Sequence, residues 1–214
     1  MNPYFVLAAA TLMSPGIVAH ATELVVLVVG QRFSPVADAV IEVRGDADVT
    51  QSFAPVTRII DQRGETFIPY VEIFRPGDRV EFHNSDRTRH HVYSFAQAKS
   101  FEFVIAPGNS APEVTLDHSG EIAVGCNIHD HMIAHLYVSD AAYVAKTGSD
   151  GRVVFASLPK GHVTVRVWHP QLRPGRAQPE QRLTLQDEAA NLTFLMQLLP
   201  DPRAGAGDRE RSEY

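Results

Sequence analysis

The chain has 214 residues, 44% hydrophobic and 21% charged, with 19 Lys+Arg against 25 Asp+Glu for a formal net charge of −6. That length suits one large or two small domains, and the acidic balance leaves no basic footprint for nucleic acid. The single cysteine excludes an internal disulfide, an all-cysteine zinc site and a thiolate-held iron–sulfur cluster, and it stands among ten histidines.

Residues 1–21 carry an apolar run from Tyr4 to Met13, then Ser14-Pro15-Gly16, then the small-x-small sequence Ala19-His20-Ala21. About ten apolar residues before such a site predict a secretory signal peptide cleaved after Ala21. The run is too short for a bilayer, which takes roughly 20 apolar residues, and no later stretch is long enough. The expectation is an exported, periplasmic or secreted chain without a membrane span. A free thiol there oxidises or pairs between chains, so a retained one is expected to be buried or occupied by a metal.

The mature part reads as all-β. Leu24–Val29 and Val36–Val43 are β-branched runs around a turn, and further runs follow at Thr66–Phe74, Arg79–His83, His91–Phe95, Ser100–Ile105, Glu121–Cys126 and Ala134–Val138. Between them Arg75-Pro76-Gly77-Asp78, Ala106-Pro107-Gly108-Asn109 and Asp117-His118-Ser119-Gly120 are turn sequences. Val153–Phe155, His162–Trp168, Arg182–Leu185 and Asn191–Leu198 continue the pattern. Short strands spaced by turns predict β-sandwiches. Residues 200–214 are polar and Gly/Ala-interrupted, which predicts a disordered tail.

Chemistry concentrates in Cys126-Asn127-Ile128-His129-Asp130-His131-Met132. Cys126, His129 and Met132 are spaced by three, so one tight loop can aim all three side chains at a common centre. A second imidazole must come from another strand, and Arg89-His90-His91-Val92-Tyr93 supplies candidates. Two His, one Cys and a weak axial Met make a mononuclear electron-transfer copper site. His131 adjoins Met132 and is the rival to His129 for the loop imidazole. His83, His118, His135, His162 and His169 read as surface or structural.

Residues 58–139 resemble a cupredoxin, the plastocyanin and amicyanin family. The resemblance rests on Cys126-x2-His129-x2-Met132, the short amicyanin loop, and on His90-His91-Val92, which aligns with the family's His-Asn-Val. Gly125 to Met132 and His90 to Phe95 are most similar to cupredoxin-like methylamine utilization proteins. It implies one type 1 copper held by His90, Cys126, His129 and Met132, a Greek-key sandwich and a redox partner protein. Three residues depart from the family. His91 replaces an Asn that ties the two ligand loops together, and Asp130 and His131 replace Pro and Phe, making the surface beside His129 polar. Asn127 is a candidate partner for His91.

The flanking strands resemble two halves of a transthyretin-like module, the regulatory domain of carboxypeptidases. The first half holds Val36-Ala37-Asp38-Ala39-Val40-Ile41-Glu42-Val43, and the second Asp150-Gly151-Arg152-Val153-Val154-Phe155, Leu158-Pro159-Lys160-Gly161 and Val163 to Pro170. The resulting expectation is a first half at 22–51, an inserted cupredoxin domain at 52–139 and a second half at 140–199. The alternative is two sequential domains, 24–139 and 140–199. The module shows no catalytic constellation and reads as an interaction or support module. The expected function is a non-enzymatic one-electron carrier in a periplasmic redox chain. The alternatives are a copper storage or delivery protein and a metal-free envelope module.

Overall fold

β-Branched residues alternating with polar ones along short segments favour extended chains that bury one face, and this pattern organises the whole molecule. The computed structural model describes residues 21–45 and 53–204. The expected leader up to His20, the expected boundary at 51/52 and the expected tail beyond residue 204 lie outside the described residues.

Sixteen strands, numbered in chain order, form among the described residues. They begin with β1 (Ala21–Val29), β2 (Val40–Gly45), β3 (Thr57–Gln62), β4 (Phe67–Ile68) and β5 (Val71–Phe74). Next come β6 (Arg79–Asn84), β7 (His90–Phe95), β8 (Ser100–Ile105), β9 (Val114–Thr115), β10 (Gly120–Cys126) and β11 (Ile133–Val138). β12 (Tyr143–Lys146), β13 (Arg152–Pro159), β14 (Gly161–Trp168), β15 (Glu180–Leu185) and β16 (Ala190–Leu195) complete them. The fold is all-β, as expected from the turn-spaced strands.

Four sheets pack as two sandwiches. A five-stranded sheet, β5-β11-β10-β7-β8, faces the four-stranded β4-β3-β6-β9 across a core that includes Ile60, Phe67, Phe82, Val92, Leu116, Ile122 and Leu136. Segments 21–45 and 143–195, on either side of it in the chain, build the other sandwich. There β13-β1-β16 faces β12-β2-β14-β15 across Leu24, Val26, Ile41, Val165, Leu185 and Phe194. A smaller cluster of Val40, Tyr70, Val71, Tyr137 and Trp168 joins them. There the Tyr137 and Trp168 rings lie 4.9 Å apart, and the Trp168 indole N–H donates to Glu121 at 3.3 Å. Buried Glu42 accepts from the Ser139 hydroxyl across the same junction.

Several elements differ from the sequence expectation. β3 was not expected, because Thr57 to Ile59 are exposed and charged Arg58 and Asp61 interrupt the apolar period. It nevertheless pairs in parallel with β6, from Thr57 opposite Arg79 to Gln62 opposite Asn84. The run Thr66–Phe74 is two strands in different sheets, parted at Pro69, which has no N–H to give a ladder. The run Val36–Val43 begins its strand only at Val40, since Asp38 takes a left-handed φ of 58°. β12 was also missed, its four residues all half-buried without alternation. Residues 200–204, read as tail, include a turn, and the Arg203 guanidinium lies 3.4 Å over the Tyr70 ring.

Candidate metal centre

β7 and β10 are neighbours, with Cys126 opposite Val92 and Gly125 opposite Tyr93. Side chains alternate across a strand, so His90 shares the inward face with Val92 and Ser94, and Cys126 shares it with Ile122 and Val124. Both fall at the same end of the sandwich. His90 is 0% exposed, Cys126 4% and Met132 2%. The loop after β10 returns at once: the Cys126 N–H donates to the Met132 carbonyl at 3.2 Å, and the Met132 N–H to the His129 carbonyl at 3.0 Å. This tight closure turns the His129 ring back onto the thiol.

The Cys126 Sγ lies 3.8 Å from His90 Nδ1 and 3.9 Å from His129 Nδ1. These three residues form a group whose donor atoms lie within 4.8 Å of one another. Bond lengths of about 2.0 Å to nitrogen and 2.3 Å to sulfur, in tetrahedral to trigonal arrangement, put nitrogen and sulfur about 3.5–3.7 Å apart. The spacing fits a shared metal ion, and one thiol with two imidazoles is a donor set suited to copper, with Met132 buried at the close of the same loop.

His131 is not in that group, although its ring centroid is 6.2 Å from that of His129. His91 faces outward, with its Nε2 2.6 Å from Glu102. Together with Asn127 it ties the two ligand loops. The Asn127 side-chain amide approaches His91 Nδ1 at 3.5 Å, and the Asn127 N–H donates to the His91 carbonyl at 3.0 Å. His135 lies away from the loop, its ring edge-on to Tyr70 at 5.3 Å.

Sequence reasoning did not single out the residues behind the imidazoles. Asp86, on the loop before β7, is 2.9 Å from His90 Nε2. The same carboxylate accepts the N–H groups of Gly64 at 2.5 Å and Glu65 at 2.9 Å. Asn84, fully buried, orients this loop by donating to the carbonyls of Thr88 at 2.8 Å and Ile105 at 3.0 Å. Glu65 in turn lies 3.7 Å from His129 Nε2. Asp86 stands four residues before His90 in the polar stretch Asn84-Ser85-Asp86, and that spacing was its only signal in the sequence.

The electrostatics favour a thiolate. Burial opposes ionisation of Cys126, but hydrogen bonds from His90, from the backbone of Ile128 and His91 and from His129 outweigh it and bring the thiol down to about 6. Burial likewise opposes charge on His90, and the neighbouring Cys126 and Asp86 outweigh it and raise its pKa. At Asp86 the cost of burial is exceeded by the Glu65 and Gly64 N–H bonds and by His90, which together lower its pKa.

No family model and no curated protein matches the chain. Among solved structures it is similar to the copper-containing nitrite reductase NirK from Thermus scotoductus SA-01. That match has 22% identity over 45% of this chain and 25% of that one, with a TM-score of 0.37, so the chain spans about a quarter of that enzyme's length. It is also similar to the Cu(I) form of a methionine-to-alanine mutant of amicyanin, 16% identical over 48% of this chain and 99% of that one, at a TM-score of 0.36. A reduced tryptophan-to-tyrosine mutant of amicyanin matches at 17% identity, over the same shares of both chains, with a TM-score of 0.37. Among the described residues, no helix is long and apolar enough to cross a membrane.

Proposed function

We propose that this chain is an exported, cupredoxin-like protein holding one copper ion at His90, Cys126, His129 and Met132. In this reading it carries single electrons between a reduced and an oxidised protein partner in a periplasmic redox chain, and it catalyses no reaction of its own. The supporting observation is the pair of imidazole Nδ1 atoms facing one buried sulfur at 3.8 and 3.9 Å. Bound there, copper supplies a one-electron couple between Cu(II) and Cu(I), for which this mixed nitrogen and sulfur set is suited.

The chain's own residues do the rest. His90, on a strand and fixed by Asp86, holds its ring in one orientation. Burial of Cys126 and Met132 keeps water from the sulfur atoms. His129, only partly buried, offers the edge through which a partner would be reached. The second sandwich is proposed as a transthyretin-like support into which residues 52–139 are inserted, and a role akin to that of the methylamine utilization proteins is part of the same proposal.

Copper titration of the purified protein tests this reading. The expected result is one ion per chain, an intense blue thiolate charge-transfer band and narrow copper hyperfine splitting, all lost in Cys126→Ser. A colourless copper form with tetragonal signals would overturn the electron-carrier reading. Ready release of copper to an acceptor would replace it with storage or delivery, and an absence of stoichiometric binding with a metal-free module.

A further inference from the structure

The turn between β3 and β4, Arg63 to Thr66, has no role in ligand supply, yet it reaches both imidazoles of the candidate centre, His129 through the Glu65 side chain and His90 through Asp86. It is closed by the Arg63 N–H donating to the Thr66 carbonyl at 3.0 Å. Gly64 and Glu65 both take left-handed conformations, with φ of 61° and 54°. Their N–H groups point together at Asp86, whose Oδ2 is also 2.9 Å from His90 Nε2. The Glu65 side chain reaches the other way, to 3.7 Å from His129 Nε2. Each ring therefore presents Nδ1 to the sulfur and Nε2 to a carboxylate, and the two carboxylates belong to one hydrogen-bonded unit.

The geometry points to a carboxylate clamp, in which Asp86 positions the His90 ring, Glu65 sets its charge beside His129, and the two together set how tightly the centre holds its electron. This rests on the copper reading above and deepens it. A carboxylate accepting the outer N–H of a ligating imidazole fixes the ring and makes its other nitrogen a stronger donor. Negative charge also favours the more positive oxidation state of a nearby ion. Both effects stabilise Cu(II) over Cu(I), so the clamp lowers the reduction potential. The two members differ in solvent access: the Asp86 side chain is 13% exposed and that of Glu65 is 45% exposed. Salt screens exposed charges far more than buried ones, so Glu65 acts in a salt-dependent way and Asp86 does not.

The test is a redox titration of the copper-loaded full-length protein and of Asp86→Asn and Glu65→Gln, at low and high salt. Asp86→Asn is expected to move the Cu(II)/Cu(I) ratio about tenfold toward Cu(I) at a fixed potential, if the loss of about tenfold in affinity that follows removal of such a partner falls on the Cu(II) form. That is about 59 mV upward for a one-electron couple, at either salt concentration. Glu65→Gln is expected to move it about threefold in the same direction at low salt and not at about 1 M salt, where the Debye length is about 3 Å. In the copper-free protein, hydrogen exchange at the Gly64 and Glu65 amides should speed up in Asp86→Asn and not in Glu65→Gln. A blue copper-loaded protein whose potential neither variant moves would overturn the clamp alone, while a wild type that binds no copper would overturn the underlying reading. If Asp86→Asn does not fold, the salt-dependent shift in Glu65→Gln decides.

Discussion

The sandwich of residues 57–138 and the one built from 21–45 and 143–195 bury cores of the same kind. Among the described residues, only the first gathers a thiol and two imidazoles at one point of its interior. In the flanking core the inward positions of β1, β2 and β14 include Leu24, Val26, Val28, Ile41, Val43, Val163, Val165 and Val167. In the other, β7 runs inward from Ser94 through Val92 to His90, and β10 from Ile122 through Val124 to Cys126. The candidate centre thus occupies the last inward positions of two paired strands, at the rim of a packed core. Such a site inherits its rigidity from the layers beneath it, because close-packed interiors leave side chains few alternative positions.

Truncating each core in turn should separate the two sandwiches most strongly. Phe82 is fully buried, with rings of Phe67 at 6.3 Å and Phe101 at 5.3 Å. Phe82→Ala is expected to cost about 3–5 kcal/mol and Leu24→Ala about 2–5 kcal/mol, from lost transfer energy and the cavity left behind. Urea unfolding measures both. Copper titration of the folded variants should then show weakened binding in Phe82→Ala, since Cys126 and Met132 belong to that core, and unchanged binding in Leu24→Ala. Equal loss in both would mean that the centre depends on the two sandwiches as one body.

The flanking sandwich carries its own titrating group, remote from sulfur. His169 donates from Nε2 to the Ala37 carbonyl at 3.2 Å and accepts the Gln171 N–H on Nδ1 at 3.1 Å, so the neutral ring satisfies both nitrogens. Burial pushes its pKa down to about 4, against the opposing pull of the Ala37 carbonyl and Asp38, with nearby His135 adding to the fall and Asp201 opposing it. Below about pH 6.5 the unfolded chain binds a proton that the folded chain refuses until about pH 4. Stability is therefore full above about pH 6.5 and falls as pH drops toward 4, by about 3 kcal/mol in all. Unfolding measured across this range should show that slope in the wild type and a shallower one in His169→Gln. Parallel pH profiles for the two proteins would remove His169 as its source.

The sequence made the sheet strands and the donor set legible for a shared reason: both are local. Alternation along β7, β10 and β14 and the three-residue spacing of Cys126, His129 and Met132 are visible without knowing what packs where. β3 was illegible because its apolar residues are sparse and partly exposed, and its parallel pairing with β6 is a tertiary fact. That pairing also hid the clamp. Gln62 opposite Asn84 is what carries Gly64 and Glu65 to Asp86, about twenty residues further along the chain. The Arg203 guanidinium over Tyr70 was hidden likewise, since polar composition speaks of solvent and not of one ring it can cover.

The smallest expected effect compares two acids in left-handed turns, one in each sandwich. Asp38 has a φ of 58° and lies 3.6 Å from Lys146, and Glu65 has a φ of 54° and faces His129. Aspartate tolerates this region better than most residues with a Cβ, because its short side chain bonds locally. Glutamate has no such compensation, and the left-handed conformation costs it about 1 kcal/mol. Glycine removes that strain while leaving the unfolded chain more freedom. Glu65→Gly is therefore expected to stabilise the protein by up to about 1 kcal/mol, and Asp38→Gly to change it by a few tenths at most. The amide of residue 65 keeps its bond to Asp86 in this variant, so the turn stays closed while the charge beside His129 is gone. Thermal unfolding of the two variants reads the difference directly. A stabilised Glu65→Gly would mean that the glutamate is held against its own backbone preference for the sake of its carboxylate, whereas a destabilised one would make that carboxylate part of the fold's own support.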